Sequence, residues 1–446
     1  PEPAAVGWKL ASCGAVVGLA YGFPGRRSFA RLWGWYLLAN LLLKLPVSIS
    51  MVVGAVVGAL VGGEGIPLRH LFEGTFTYVD TMLIISTAML FMTVIQESGA
   101  LAALNTAIVT HFYKRPALML ILLMFVVMFP GMITGSSTAA VLSAGALVAP
   151  VLLLIGIPKE RAGAIIAIGA IMGMAAPPVN IPAMLIAGGV DMPYIGFEGP
   201  LFLVTIPCAI FTVLFLGLRY CKDLDIDELC KNLDTETGKK YGFKLYIPII
   251  VLAVLLVVTK LFPSLPQLGT CLIFLISAVI GLFTGRKINF WEKSLQAMDT
   301  TIPVLGKLMG VGMFIQVLTL VGARGWIVVS CLSLGMVMLY VFSCTIMPAF
   351  GAISSYGAAS VMGVPFLLVM LQMGGHNDIV LCCMLSFLCC LGDLMPPTAL
   401  AGNYAAQIVG LKYRPVLKNC VVPFVVCVLV GLLCMLNSSA LSFLTA

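Results

Sequence analysis

The sequence predicts an all-α polytopic membrane protein, built as an inverted-topology repeat with two re-entrant helical hairpins and two broken helices. Three observations support this fold class. Hydrophobic residues make up 61% of the 446 residues, charged residues make up 10%, and the mean hydropathy is +1.11. These values are typical of a chain that crosses a membrane many times. A pattern of Gly, Ser and Pro residues also occurs twice, and the charged loops place its two copies in opposite orientations.

Apolar segments alternate with short polar loops, and the chain suffices for roughly ten spans of ~20 residues. The segments lie at about 4–22, 33–62, 80–97, 116–129, 136–155, 162–189, 199–218, 246–262, 266–285, 298–322, 326–346, 353–372, 379–408 and 418–437. We therefore predict an N-terminal extra helix and linker at 1–44, a first repeat at 45–218, a cytoplasmic linker at 219–245 and a second repeat at 246–446.

The repeat is visible in the helix-breaking residues. Four positions shifted by 218 residues reach an identical residue type: Pro130 to Pro348, Ser136 to Ser354, Ser137 to Ser355, and Gly145 to Gly363. Three more agree at a shift of 219: Gly173 to Gly392, Pro177 to Pro396, and Pro178 to Pro397. Such agreement indicates an internal duplication. Broken backbone inside apolar sequence is tolerated only where it is buried or lines a cavity, and paired breaks are typical of a transporter's binding site.

The basic residues predict the orientation of the two copies. Lys114 and Arg115 precede the first arm of the first hairpin, while Lys159 and Arg161 follow its second arm. Since Lys and Arg favour the cytoplasmic side, both ends of this hairpin are predicted to be cytoplasmic. Arms of ~14–20 residues fit a re-entrant hairpin. The odd number of apolar segments before the second hairpin predicts that it enters from the opposite face.

The two breaks predict two sodium sites, one in each half. A helix broken within the membrane leaves unpaired N–H groups, which favour an anion, and unpaired carbonyl groups, which favour a cation. Hydroxyl and carbonyl oxygens suit hard cations. The candidate cation ligands are Gly135, Ser136, Ser137, Thr138, Ala176, Asn180, Ser354, Ser355, Gly357, Met395 and Thr398. The candidate substrate-binding residues are Thr138, Pro178, Asn180, Ser355, Asp393, Pro397, Thr398 and Asn403. The alternative is that these small residues only allow close helix packing.

Asp393 and Lys307 are the charged residues of greatest interest. Asp393 lies three residues before Pro396, where the other copy has Met174. Charge within a membrane is costly, so Asp393 is a candidate for a cation, proton or substrate role, with a local hydrogen bond as the alternative. Lys307 can pair with Asp393 or meet a substrate carboxylate, although snorkelling to the interface would also explain it.

Competing functional classes find little support. The chain has no G-x-x-x-x-G-K-[ST] motif, which an ATP-driven pump would need. An intramembrane aspartyl protease is a distant alternative, because Gly392-Asp393 and the Pro397 to Leu400 run faintly resemble that family's elements. It would need a second aspartate beside the first, and Asp80 is the weak candidate. We therefore predict no enzyme activity and no catalytic residues.

Several motifs resemble the large membrane subunit of TRAP transporters, the tripartite ATP-independent periplasmic transporters. Leu71-Phe72-Glu73-Gly74 leads into Thr81-Met82-Leu83-Ile84 as at the start of that subunit. The Gly135-Ser136 tip with Ala139, the Ala175-Ala176-Pro177-Pro178 break and Met395-Pro396-Pro397 are similar to its paired motifs. The resemblance covers roughly 45–437. The duplicated breaks are shared with the wider ion transporter superfamily, including single-component sodium:dicarboxylate-type symporters, which remain the alternative.

The resemblance implies an elevator-type carrier that imports small organic acids with sodium as the coupling ion. It also implies a periplasmic or extracellular substrate-binding protein and a small four-helix membrane subunit as partners, with membrane lipid around the chain and no nucleic acid. The expected location is the cytoplasmic membrane of a bacterium or archaeon. Under this resemblance, segment 4–22 could be the end of a fused small subunit. Asp393 departs from the family, which more often has a small or apolar residue there, and this puts purely sodium-based coupling in doubt.

Overall fold

The computed structural model describes residues 45–221, 235–261, 268–333 and 335–445, with scattered positions between 30 and 42. The predicted helix at 4–22 and residues 222–234 of the predicted linker lie outside the described residues. The first repeat is thus described in full, and the second repeat lacks only short segments.

The described residues form helices joined by turns, with no β-strand among them. The helices of the first half are α1 (Val47–Gly62), α2 (Leu68–Phe76), α3 (Val79–Ser98), α4 (Ala100–Phe112), α5 (Pro116–Thr134), α6 (Ser137–Ala140), α7 (Ala146–Leu154), α8 (Lys159–Ala175), α9 (Ile181–Gly189) and α10 (Glu198–Gly217). After α11 (Thr235–Tyr241), the second half contains α12 (Ile247–Leu261), α13 (Thr270–Gly281), α14 (Phe290–Leu320), α15 (Ala323–Leu332), α16 (Met336–Gly351), α17 (Ser355–Ala358), α18 (Val364–Met373), α19 (Asp378–Leu391), α20 (Leu400–Ile408) and α21 (Tyr413–Leu436).

The helices have the length and composition expected of a polytopic membrane protein. Within the described ranges, eight helical stretches are long and apolar enough to cross a membrane. The predicted single segment at 326–346 is wrong, because two helices, α15 and α16, occupy it. A turn that contains Ser333 and Gly335 separates them, and Gly335 has a φ of 61°, a conformation that glycine adopts without steric cost.

The two hairpins have matching construction. The first consists of α5, a tip, α6 and α7, and the second consists of α16, a tip, α17 and α18. In each tip a serine caps the short helix that follows: Ser136 Oγ accepts from Ala139 N at 3.3 Å, and Ser354 Oγ accepts from Gly357 N at 3.1 Å. A π-helical turn then follows at Val141–Gly145 in one copy and at Ala359–Gly363 in the other. The duplication seen in the sequence is therefore a duplication of backbone structure.

The two broken helices pack against each other in reciprocal order. The first breaks between α8 and α9, and the second breaks between α19 and α20. Helix α8 packs on α20 and α9 packs on α19, so each leading half contacts the other copy's trailing half. Each hairpin tip likewise contacts the trailing half of the other copy's broken helix: α6 contacts α20, and α17 contacts α9. Antiparallel alignment of the two broken helices produces this pattern, as an inverted-topology repeat requires.

A second group of helices packs beside the hairpins. The long helix α14 lies against α1, α2 and α3, and α13 lies against α3 and α12. Glycines allow the closest approaches: a Cβ on Gly310 would lie 2.7 Å from the Ser48 carbonyl oxygen, and one on Gly74 would lie 2.6 Å from Met313 Cα. Small residues of this kind let helix backbones approach one another in membrane proteins. Helix α14 therefore forms a wall beside the hairpin tips.

Candidate functional site

Each break lies directly against a hairpin, at a crossing that has room only for glycine. A Cβ on Gly173 would lie 2.8 Å from Met128 Cα and closer still to the Met128 carbonyl oxygen. A Cβ on Gly392 would collide with the backbone of Gly351. The duplicated glycines therefore place both breaks within hydrogen-bonding distance of the hairpin tips.

The segment after each proline pair is bonded to the hairpin of its own repeat. Val179 N donates to the Met132 carbonyl at 3.1 Å, and Thr398 N donates to the Ala352 carbonyl at 3.3 Å. The Pro177-Pro178 and Pro396-Pro397 peptide bonds are both cis. These equivalent bonds satisfy backbone groups that the interrupted helices leave free.

The two breaks differ in how the chain re-enters a helix. In the first, Asn180 is fully buried and caps α9, because its Oδ1 accepts from Ala183 N at 3.0 Å. Asn180 Nδ2 also donates to the Ala175 carbonyl at 2.8 Å and to Ser386 Oγ at 3.3 Å. The equivalent position in the second break is Ala399, which has a φ of 41° and no side-chain cap.

In the second break the polar side chain comes from within the following helix: Asn403 Nδ2 donates to the Thr398 carbonyl at 2.8 Å. Thr398 Oγ1 in turn donates to the Ala352 carbonyl at 2.5 Å. The side chains of Thr398 and Asn403 therefore bond backbone groups at the second break, where the Asn180 side chain does so at the first.

Asp393 lies where the two hairpin tips meet. Its side chain is buried at 4% exposure, and Ser137 Oγ of the first tip donates to Asp393 Oδ2 at 2.5 Å. The Ser355 hydroxyl of the second tip and the half-buried Lys307 of α14 line the same cavity as Asp393, and both interact with it electrostatically. Asp393 therefore accepts a hydroxyl group from the first repeat and shares the cavity lining with a hydroxyl group of the second repeat and a lysine of α14.

A second contact joins the tips directly. Tyr356 OH donates to the Gly135 carbonyl at 3.2 Å, and the Tyr356 side chain is buried. Gly135 has a φ of 63°, so the positive-φ turn that ends α5 turns this carbonyl towards the other repeat. No pattern in the sequence indicated this contact, because Tyr356 has no tyrosine counterpart in the first copy.

A cavity of about 490 Å³ lies between the hairpin tips and the helices α1, α3 and α14. Seven of the sequence-predicted site residues line it: Ser136, Ser137, Thr138, Ser354, Ser355, Asp393 and Thr398. The others lie behind the lining or outside it: Gly135, Ala176, Pro178, Asn180, Gly357, Met395, Pro397 and Asn403. The tips thus supply side chains to the cavity, while most of the proline-break residues support those tips.

The cavity is also lined by groups outside the predicted site residues. Gln96 and Glu97 of α3 and Gln296, Thr300 and Lys307 of α14 face it. Glu97 pairs with Lys293 Nζ at 2.9 Å. Helix α14 could be recognised as a lining helix only through Lys307, because the other residues are common in exposed helix ends.

Three other titratable residues lie outside the cavity lining. Asp80, the second aspartate that a protease would need, is exposed at the start of α3 and does not line the cavity. Asp299 is exposed as well. His376 contacts Tyr340 and Ser438 at the far end of the second hairpin.

Comparison with known proteins decides the family. Residues 35–441 match the family described as the tripartite ATP-independent periplasmic transporter, DctM component. The chain belongs to this family. It is therefore a multi-pass membrane protein of a transporter family, and the resemblance seen in the sequence motifs is confirmed.

One solved structure supports the fold independently. The crystal structure of the Alcanivorax borkumensis YdaH transporter, described as having an unusual topology, is similar with a TM-score of 0.53 at 18% sequence identity. The match covers 83% of this chain and 88% of that chain. At this identity the likeness concerns the fold. No curated protein matches the chain.

Proposed function

We propose that this chain is the large membrane subunit of a secondary transporter that imports small organic acids together with sodium. The observation that carries the proposal is the convergence of Ser137, Ser355 and Asp393 beside a cavity at the meeting of two duplicated hairpin tips. In a chain of this family, that cavity is the proposed binding site, and the substrate and the coupling ion are its proposed ligands.

The lining of the cavity suits an organic anion. Lys307 provides a positive charge, and Thr138, Ser143 and Thr300 provide hydroxyl groups around it. The volume of about 490 Å³ lies in the range of small-molecule binding sites. A carboxylate beside an ammonium group forms a charge-assisted hydrogen bond, which is about twice as strong as a neutral one.

The group around Asp393 suits a sodium ion. A carboxylate and two serine hydroxyls supply oxygen ligands, as a hard cation prefers. A hydroxyl group that donates to a carboxylate retains lone pairs for a cation. The sequence predicts one sodium site in each half, whereas the Asp393 group draws its oxygen atoms from both halves, so we propose it as a site that the two halves share.

Two groups of helices support an elevator-type mechanism. The hairpins and broken helices pack on one another, while α14 packs with α1, α2 and α3. The cavity lies between the two groups. In the proposed mechanism the hairpins and broken helices move as a unit along the second group, and substrate and sodium move with them.

The proposed partners are a substrate-binding protein outside the membrane and a small four-helix membrane subunit, since the family takes its name from a tripartite system. The proposed location is the cytoplasmic membrane of a bacterium or archaeon. The alternative is a single-component symporter, which would need neither partner.

Reconstituted uptake tests this proposal. The chain would be placed in proteoliposomes alone, and together with the small membrane protein and the binding protein encoded beside its gene. Uptake of radiolabelled succinate, malate, pyruvate, gluconate and glucuronate would be measured with external sodium or choline. We expect uptake of at least one acid that needs both partners and an inward sodium gradient.

Each other outcome rejects a defined part of the proposal. Sodium-driven uptake by the chain alone would favour the single-component symporter. Uptake that ignores sodium but collapses with a protonophore would reject sodium as the coupling ion.

A further inference from the structure

We propose that Lys307 binds the carboxylate of the substrate, and that this carboxylate and Asp393 compete for its ammonium group. Binding of the substrate would then release Asp393 to accept the sodium ion. This inference rests on the proposed function, and it assigns the substrate class as hydroxylated monocarboxylates.

The first step is the charge inventory of the cavity. Among the described lining residues, the charged side chains are Glu97, Lys307 and Asp393. Glu97 is already paired with Lys293 at 2.9 Å, and Lys293 is not among the described residues of the lining. Lys307 is therefore the cation in the described lining that an incoming carboxylate would meet.

The second step concerns which partner is fixed. Asp393 belongs to the turn Gly392–Leu394, is buried, and accepts a hydrogen bond from Ser137 of the first tip, while Ser355 of the second tip lies in the same lining. Lys307 is half-buried on a different helix, and its ammonium group ends a flexible four-carbon stem with three donors. Lys307 can therefore reorient towards a ligand while Asp393 stays in place.

The third step is electrostatic linkage. A sodium ion placed on Asp393 is repelled by the nearby Lys307 ammonium group, so the empty cavity disfavours sodium. A substrate carboxylate on Lys307 neutralises that repulsion and draws the ammonium group away from Asp393. The acid therefore strengthens sodium binding, and sodium must strengthen acid binding by the same factor.

The fourth step defines the substrate. One available cation in the described lining matches one carboxylate. The surrounding groups are neutral donors and acceptors, including Thr93, Gln96, Ser143, Gln296 and Thr300. These suit hydroxyl groups, whereas a second carboxylate would be left without a cationic partner in that lining.

The test is a sodium titration of the purified chain in nanodiscs. Thermal unfolding would be followed at increasing sodium, with choline holding the ionic strength constant, because a ligand stabilises the folded state according to its affinity. Each titration would be run with and without the acid that gives the strongest uptake in the reconstitution. For the wild-type chain we expect the acid to raise apparent sodium affinity about tenfold, within the usual range of such coupling.

Three variants separate the roles. Lys307→Met should weaken acid binding more than about tenfold, strengthen sodium binding in the absence of acid, and bring the coupling factor close to one. Lys307→Arg, which keeps the positive charge, should retain coupling. Lys287→Met removes an exposed lysine outside the cavity lining and should behave as the wild-type chain.

A second measurement does not depend on any variant folding. The uncharged amide of the same acid should bind the wild-type chain weakly and leave sodium affinity unchanged. Coupling that survives in Lys307→Met, or that the amide reproduces, would overturn the inference. A wild-type chain that shows no sodium-dependent acid binding would instead overturn the proposed function.

Discussion

The two broken helices share a backbone design but differ in the polar groups at the break. The first has Met174 and the fully buried Asn180, whose side chain caps the helix that follows. The second has Asp393 and the uncapped Ala399 at the equivalent positions. The first break is therefore neutral and closed by its own side chain, and the second carries the charge that faces the cavity.

This difference indicates a division of roles between duplicated parts. The shared features are the glycines and prolines of the breaks and the serine caps of the hairpin tips, which determine where the backbone goes. The differing features are side chains that determine which ligands the site accepts. The first repeat nevertheless contributes Ser137 to the charged centre of the second, so neither half contains the whole site.

The largest loss of stability is expected at the glycines that the two breaks share. Gly173→Ala and Gly392→Ala each add a methyl group at a backbone crossing, and overpacking of this kind costs about 1–3 kcal/mol. Both variants should lower the midpoint of thermal unfolding of the purified chain. Gly325→Ala is the matched control, because no atom lies within 4 Å of its added Cβ. A large loss at one crossing only would show that the two breaks are not packed equivalently.

A smaller effect is expected where the halves differ in capping. Asn180→Ala removes an N-cap and leaves a buried carbonyl without its donor, at a cost of about 2 kcal/mol. Asn403→Ala removes one bond from a half-buried side chain and should cost less than about 1 kcal/mol. Thermal unfolding of the two purified variants measures the loss of stability of each. Equal losses would contradict the assignment of Asn180 as the principal support of the first break.

The smallest effect is expected at the hydroxyl groups. Ser137→Ala and Ser355→Ala should each weaken apparent sodium affinity in reconstituted uptake, since each removes an oxygen ligand. Because Ser137 bonds Asp393 and Ser355 interacts with it in the same cavity lining, the loss in the double variant should differ from the sum of the single losses by more than about 0.5 kcal/mol. Simple additivity would support independent sodium sites in the two halves.

The sequence predicted the features that depend on local backbone rules. Gly, Pro and Ser at repeated spacing indicated both breaks and both tips, because such residues act through their own conformations. The single segment at 326–346 was predicted wrongly, because continuous apolarity conceals a turn between two short helices.

Contacts between the halves were beyond sequence reasoning. Ser137 and Asp393 are separated by 256 residues, and nothing in either local pattern indicates the other. Tyr356 likewise reaches Gly135 across 221 residues. The charge of Asp393 indicated a partner, but only the packing of the two repeats shows that the partner is a hydroxyl group of the first tip.

Helix α14 stands on one side of the cavity and the hairpins on the other, and this has a mechanical consequence. Lys307 belongs to α14 on one side of the cavity, and Asp393 belongs to the second broken helix on the other side. The distance between them therefore depends on the position of α14 relative to the hairpins and broken helices. A movement of either group of helices by a single helical turn, about 5.4 Å, would change that distance while leaving the packing within each group intact. In the proposed elevator mechanism, the distance between these two charges would therefore change with each step of transport.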